Sequence, residues 1–239
     1  SPGASGGAGA AGATIAAAAR GFGEPLEILQ IPFSVGGTAD DAIAQLLAAD
    51  PRPFLITMVT GPREMATIAG GIFQGGHQQF QIIGAGPSWN VGLLANEALV
   101  PLLQATFFNA APWAGWDFDS PGHEAMRSAA AANERSPSNG YVAGWVFQYN
   151  ILALLETAIE NGDLSKAGLA ATAGELDDVD YEGMLPNRSF VGDAADHAER
   201  GTIISRVDPA ASDGLAPATP LFTSPLAAAY DFSGPCFAP

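Results

Sequence analysis

FLITMVTGPREMATIAGGIFQGGHQQFQII, residues 54–83, decides the fold. It opens with the apolar run Phe54–Val59 and closes with a second one, Phe80–Ile83. A run apolar nearly throughout suits a strand covered on both faces, as in a parallel sheet. Between the two, Gly61-Pro62 opens a helix over Arg63–Phe73, with Pro in its first turn and Glu64 near its positive end. Strand, crossover helix and strand make the unit from which parallel sheets are built.

The same cadence extends both ways, with a strand about every 25 residues. Upstream, Leu26–Pro32 (LEILQIP) reads as a strand and Thr38–Ala49 as a helix, with Ala42, Ile43, Leu46 and Leu47 on its apolar face. Downstream, Val91–Leu99 reads as a helix and Ala105–Phe108 as a strand. Residues 1–19, rich in Ala and Gly, read as a linker or, the favoured reading, as a small-residue helix from about Ser5 to Ala19 stopped at Arg20-Gly21. The expected fold class is α/β, a Rossmann-like parallel sheet with flanking helices. Sheets of this kind bind ligands at the carboxyl ends of their strands.

The character changes near Pro112. Trp113-Ala114-Gly115-Trp116-Asp117 is irregular and aromatic; Ser120–Asn133, Tyr141–Asn161 and Ser165–Ala173 read as helices. Beyond Tyr181 the pattern is strand and loop: Tyr181–Phe190, Thr202–Val207 and a Pro-rich tail. The second half holds too few strands for a sheet of its own.

Composition narrows the function classes. Of 239 residues, 48% are apolar and 14% charged, and the net charge is −16 with nine basic residues. That deficit opposes nucleic acid, which is held by Lys and Arg against phosphate, and opposes docking on anionic lipid. No uninterrupted apolar run approaches the roughly 18 residues of a membrane span, and no basic n-region precedes an apolar core as in a signal peptide. The single cysteine, Cys236, excludes an internal disulfide and a Cys-based metal cluster. A free thiol and a lost partner both remain open for it.

Candidate binding residues sit at strand ends. The loop Gly84–Asn90 follows one strand; Ser88 and Asn90 offer hydrogen bonds and Trp89 an apolar wall, against the plainer reading of a turn whose tryptophan packs on its own sheet. Thr60 and Gly61 hold the equivalent place after the preceding strand, where a helix start favours negative charge; a simple turn into the helix is the alternative. Catalytic motifs fail one by one. Gly86-Pro87-Ser88-Trp89-Asn90 lacks the last glycine of G-x-S-x-G. Residues 178–183 mimic an EF-hand start, but Ser189 stands where the bidentate glutamate belongs. Asp193, Asp196, His197 and Glu199 cluster around one histidine without helical spacing. Gly3–Gly9 lacks the Gly-Lys-Ser/Thr of a P-loop, and His77 and His123 stand alone. No paired acid and base, cofactor loop or metal set emerges, so neither an enzyme nor a cofactor is expected.

Four segments together carry a family likeness. They are Gly3–Gly9, Gly84–Asn90, the long pattern from Asn139-Gly140-Tyr141 to Leu155-Glu156-Thr157-Ala158, and the stretch from Asp163-Leu164-Ser165 through Leu176–Pro186. In order and spacing the chain resembles the type I periplasmic solute-binding proteins of ABC importers, the branched-chain amino acid binding group. That resemblance implies two Rossmann-like lobes around a ligand cleft, an ABC permease as partner, an amino acid or related small polar ligand, and a periplasmic or extracellular location, with a lipid anchor possible outside this chain. It implies that residues 1–112 are lobe two without its first strand, 113–200 a return segment into lobe one, and 201–239 the final crossing and tail. It also implies that the early part of lobe one lies outside this sequence, in keeping with Ser1 in place of a methionine. Trp113 and Tyr141 fall near the implied hinge, where either touches ligand or packs the hinge. Two departures bear on the ligand. No tyrosine occurs at Thr60–Arg63 and no acid in Ala85–Asn90, where amino acid binders hold the ammonium; Ser1-Pro2 also stands in place of a frequent tyrosine. A ligand-sensing receptor domain and a Rossmann-like enzyme are the alternative readings.

Overall fold

A computed structural model describes residues 38–193 and 197–231, together with Gly12, Leu29 and Ile31. The expected helix over 5–19 and strand Leu26–Pro32 fall largely outside the described residues.

Ala39–Ala48 forms α1, which buries Ala42 and Leu46, and β1 follows at Leu55–Met58. Helix α2, Pro62–Gln74, starts on its proline and buries Met65, Ile68, Ala69 and Ile72, one face at helical spacing. Gly71 lies where any side chain would run into Ile43, so it lets α1 and α2 approach closely. Strand β2 is Gln81–Ala85.

Val91–Leu99 is not the α-helix expected from the sequence. Val91–Ala95 is a short 3₁₀ segment capped by Asn90, whose side chain accepts from the Gly92 amide at 2.8 Å. The α-helix, α3, comes later at Val100–Thr106, with Pro101 in its first turn. It uses Ala105 and Thr106, so β3 begins only at Phe107 and runs to Ala111.

Three helices follow: α4 at Pro121–Ala132, α5 at Asn139–Glu160 and α6 at Lys166–Ala173. Each starts behind a serine, Ser120, Ser138 or Ser165, whose hydroxyl accepts a first-turn amide. Tyr181–Phe190 forms no strand; the region carries only the isolated antiparallel bridge of Val179 with Arg188. Strands β4 (Ile203–Val207) and β5 (Leu215–Pro217) and the short helix α7 (Pro225–Ala229) complete the described chain.

The strand order is β1-β2-β3-β4-β5. β1, β2 and β3 are mutually parallel, as the cadence requires, while β4 and β5 extend the sheet antiparallel. The sheet is therefore mixed rather than wholly parallel. Short connections suffice for antiparallel neighbours, and a tight turn at residues 208–214 joins β4 to β5.

Two apolar cores result. One lies between the sheet and α1–α3, built on Ile56, Ile82, Phe107, Met65, Ile72 and Leu103. The other lies among α4, α5 and residues 176–185, built on Met126, Val142, Val146, Tyr181 and Met184. Residues 112–202 thus form a helical body inserted between β3 and β4 of a sheet body. Helix α5 is long and apolar enough to cross a membrane by length and composition, the one such helix among the described residues. Gln148, Asn150 and Glu156 interrupt its apolar pattern, in line with the absence of an unbroken apolar run of that length. One side of α5 packs in the helical core; Phe147, Ile151, Leu155 and Ile159 lie exposed on another.

Candidate functional site at the strand ends

The carboxyl ends of β1, β2 and β3 meet on one edge of the sheet, and the chain leaves them through Thr60-Gly61, Gly86-Pro87-Ser88 and Pro112-Trp113. Ser88 is fully buried there, and its hydroxyl donates to the Thr60 carbonyl at 3.0 Å. Its capacity is spent on tying the loop after β2 to the loop after β1. The close fit has a cost in side-chain size. A Cβ at Gly84 would lie 2.7 Å from the Phe107 ring and 2.8 Å from Ser88 Cβ.

Trp89 points into the sheet core at 3% exposure. Its indole stacks on Phe107 with centroids 5.6 Å apart, and Nε1 donates to the Asp213 carbonyl at 2.9 Å. Gly214, at φ +78°, fits beneath the same indole. Asn90 is exposed and occupied with its cap. Thr60 and Gly61 are half-buried at the end of β1, and the Glu64 carboxylate lies against Gly61.

The helical body reaches this edge through Asn139 and Trp113. Buried Asn139 donates from Nδ2 to the Gly86 carbonyl at 2.8 Å and accepts from Trp113 Nε1 at 3.3 Å. The Trp113 ring then sits over Gly86, where an added Cβ would be 3.4 Å away, and meets Phe147 edge-on at 5.5 Å. Tyr141 is set apart, half-buried against Trp116 and Trp145 in the helical body. Of the residues singled out from sequence, the structure therefore brings Thr60, Gly61, Ser88 and Trp113 to one edge, with Trp89, Asn90 and Tyr141 directed elsewhere.

Electrostatically this edge is plain. Among the described residues no group of three or more His, Cys, Asp or Glu is arranged to hold a metal. The perturbed groups lie further back. His123 is held below its ordinary value, first by burial, and Asp213 is pushed up, first by burial and further by Asp117 nearby. Tyr149, in the helical body, is pushed up to about 12, chiefly by burial.

No family model matches the sequence, and no curated protein matches it. Solved structures do. The chain is similar to a fatty acid ABC transporter substrate-binding protein from Thermomonospora curvata, at 27% identity and a TM-score of 0.77 over 92% of this chain and 55% of that one. It is also similar to a branched-chain amino acid ABC transporter protein from Thermus thermophilus with bound valine, at 15% identity and TM-score 0.63, over 88% of this chain and 56% of that one. An ABC transporter solute-binding protein from R. palustris in complex with benzoate matches at 15% identity and TM-score 0.53, over 87% and 54%.

The fold is that of a type I periplasmic binding protein.

This chain spans about half the length of the structures it matches. Within that fold the sequence missed the residues that join the two bodies. Asn139 drew notice only as the start of a segment carrying the family likeness, not as a contact residue, and Phe147 reads as one apolar position in a long helix. Asp213 shows only as an acid in a Ser-Asp-Gly turn. Each matters through contacts across long stretches of chain, which spacing does not carry.

Proposed function

We propose that this chain is part of an ABC transporter solute-binding protein, and that its edge at Thr60, Gly61 and Gly86, with Trp113 of the adjoining body, lines part of a ligand cleft. The single observation that carries this reading is the likeness to the fatty acid substrate-binding protein, 27% identical over nearly all of this chain. The proposed ligand is a small carboxylate with a substantial apolar part. Trp113 and the 52%-exposed Phe147 supply apolar surface beside Gly86, and residues 85–90 contain no acid to hold an ammonium. Such clefts take their affinity from apolar walls with a few placed polar groups. Ligand would enter the cleft, the lobes would close by a hinge motion, and the closed form would dock on a permease. The proposed location is the periplasm or the extracellular side, and no covalent chemistry is involved. Residues 38–112 and 201–231 are assigned to one lobe, because β4 and β5 share the sheet of β1–β3, and residues 113–193 and 197–200 to the other.

One observation favours an amino acid instead. The Glu64 carboxylate against Gly61 would suit an ammonium group. The two readings separate in a thermal-shift titration of the 239-residue chain with sodium octanoate, benzoate and valine, since a ligand stabilises the form it binds. The apolar-carboxylate reading expects octanoate to raise Tm more than valine does, and Trp113→Ala to abolish that rise. Valine as the stronger stabiliser, with its effect lost in Glu64→Gln, would favour the amino acid. Turnover of an ester or nucleotide would overturn both.

A further inference from the structure

The segment between β3 and α4 is gripped from both sides. From the sheet body, Asp213 Oδ2 accepts from the Trp116 amide at 3.1 Å, and the Asp117 carboxylate accepts from the Ser212 amide and hydroxyl at 2.7 and 2.6 Å. Gly115 passes so close that an added Cβ would lie 3.2 Å from Asp213 Oδ2. From the helical body, Arg127 donates to the carbonyls of Trp116 and Phe118 at 2.9 and 2.8 Å, and His123 Nε2 lies 3.4 Å from the Ala114 carbonyl. Trp116 therefore gives its N–H to one body and its C=O to the other.

Neither grip is loose. Asp213 is fully buried and also accepts from the Leu215 amide at 3.3 Å, while its own carbonyl holds Trp89. The turn that carries it is closed by bonds from Asp208 to Gly214 and from Gly214 to Ala211. On the other side the Trp116 ring is buried among the residues of the helical core. A relative rotation of the two bodies must break one of these grips or bend the chain between them.

We propose that the Trp116 peptide is the pivot between the two bodies, with Asp213 the positioning residue that sets their angle. This goes beyond solute binding and stands without it, because it concerns only how the two bodies are held.

The test uses the full 239-residue chain carrying spin labels at Gln74→Cys on α2 and Asn161→Cys after α5, in a Cys236→Ser background. Interlabel distances are read by pulsed electron spin resonance and amide exchange by NMR. Asp213→Ala should broaden the distance distribution and speed Trp116 amide exchange about tenfold, with the β2 amides of Ile82 and Ile83 unchanged. Asp213→Asn, whose side-chain oxygen still accepts the amide, should restore both. An unchanged distribution in Asp213→Ala refutes the pivot, and so does a uniform rise in exchange over the whole chain, which would mark a purely structural role. Should Asp213→Ala fail to fold, Asp117→Ala removes the exposed half of the same grip. Broadening there supports the pivot, and an unchanged distribution overturns it.

Discussion

The sheet body and the helical body satisfy their apolar residues in different ways. In the sheet body, alternate residues of β2 and β3 are buried, Ile82 and Gly84, then Phe107, Asn109 and Ala111, with Ile82 and Phe107 in the main core. Helices α1–α3 cover that face. The helical body closes its own core too, but α5 leaves a row of large apolar side chains on its outer side. Apolar surface also stays exposed along β1, at Phe54, Leu55 and Val59, so the contrast lies in where it is concentrated: on one strand of the sheet body and along a whole helix of the other. Stability should reside in the sheet core, and the outer side of α5 should contribute little.

Three measurements would break or sharpen that contrast. The largest effect is expected at Trp89. Removal of a buried indole that stacks on Phe107 and bonds to the Asp213 carbonyl should cost about 3–5 kcal/mol in chemical denaturation of Trp89→Ala. A loss below about 1 kcal/mol, within reach of an ordinary surface change, would mean that the sheet core is not where stability lies.

A smaller effect, visible in its pH dependence, is expected at the seam. The fold raises the Asp213 pKa above its ordinary 3.8, so the folded chain holds this proton more tightly than the unfolded chain. The parent should therefore lose stability as pH climbs from that ordinary value through the raised one, whereas an asparagine does not titrate. Asp213→Asn should gain in Tm relative to the parent as pH rises above the ordinary carboxylate value. A difference that stays flat, or runs the other way, would show that the carboxylate is not paying a burial penalty between the two bodies.

The smallest effect belongs to the outer side of α5. Ile151→Ser with Leu155→Ser should change the unfolding free energy of this chain by only about 0.5 kcal/mol per site, as for surface positions. A loss of several kcal/mol would mean that this face is covered and would erase the contrast.

Much of the sheet was legible because its elements are local. The run Phe54–Val59, the Gly61-Pro62 helix start and Phe80–Ile83 each encode their own state, and the observed β1, α2 and β2 fall where those signals put them. Val91–Leu99 failed because a competing local interaction won: the Asn90 cap on Gly92 tightens the turn into a 3₁₀ segment, and Pro101 restarts the helix later. Strands β4 and β5 were only half legible. Ile203–Val207 alternates buried and open positions, which marks a strand but not its partner, and Leu215–Pro217 is too short to stand out. The strand-end edge was legible in place rather than in detail. Thr60 and Ser88 were found from their positions after strands. That Ser88 spends its hydroxyl on Thr60, and that Asn139 brings Trp113 over Gly86, depends on contacts no local pattern encodes.

The insertion of the helical body between β3 and β4 has a consequence for the order in which the chain acquires structure. Ala111 pairs with Ile203, and Trp89 reaches the Asp213 carbonyl 124 residues onward. During synthesis β1, β2 and β3 must therefore wait, with Phe107 and Trp89 lacking their last neighbours, until more than ninety further residues have emerged. The helical core in between closes over shorter spans, the Gly122 amide reaching the Glu182 carbonyl, so its delay is shorter. Long loops are slow to close, and local contacts form first. Once formed, the helical body brings residues 111 and 203 together and shortens the loop the sheet must still close. Formed ahead of the strand pairing, the inserted segment would act as a folding clamp for the sheet that encloses it.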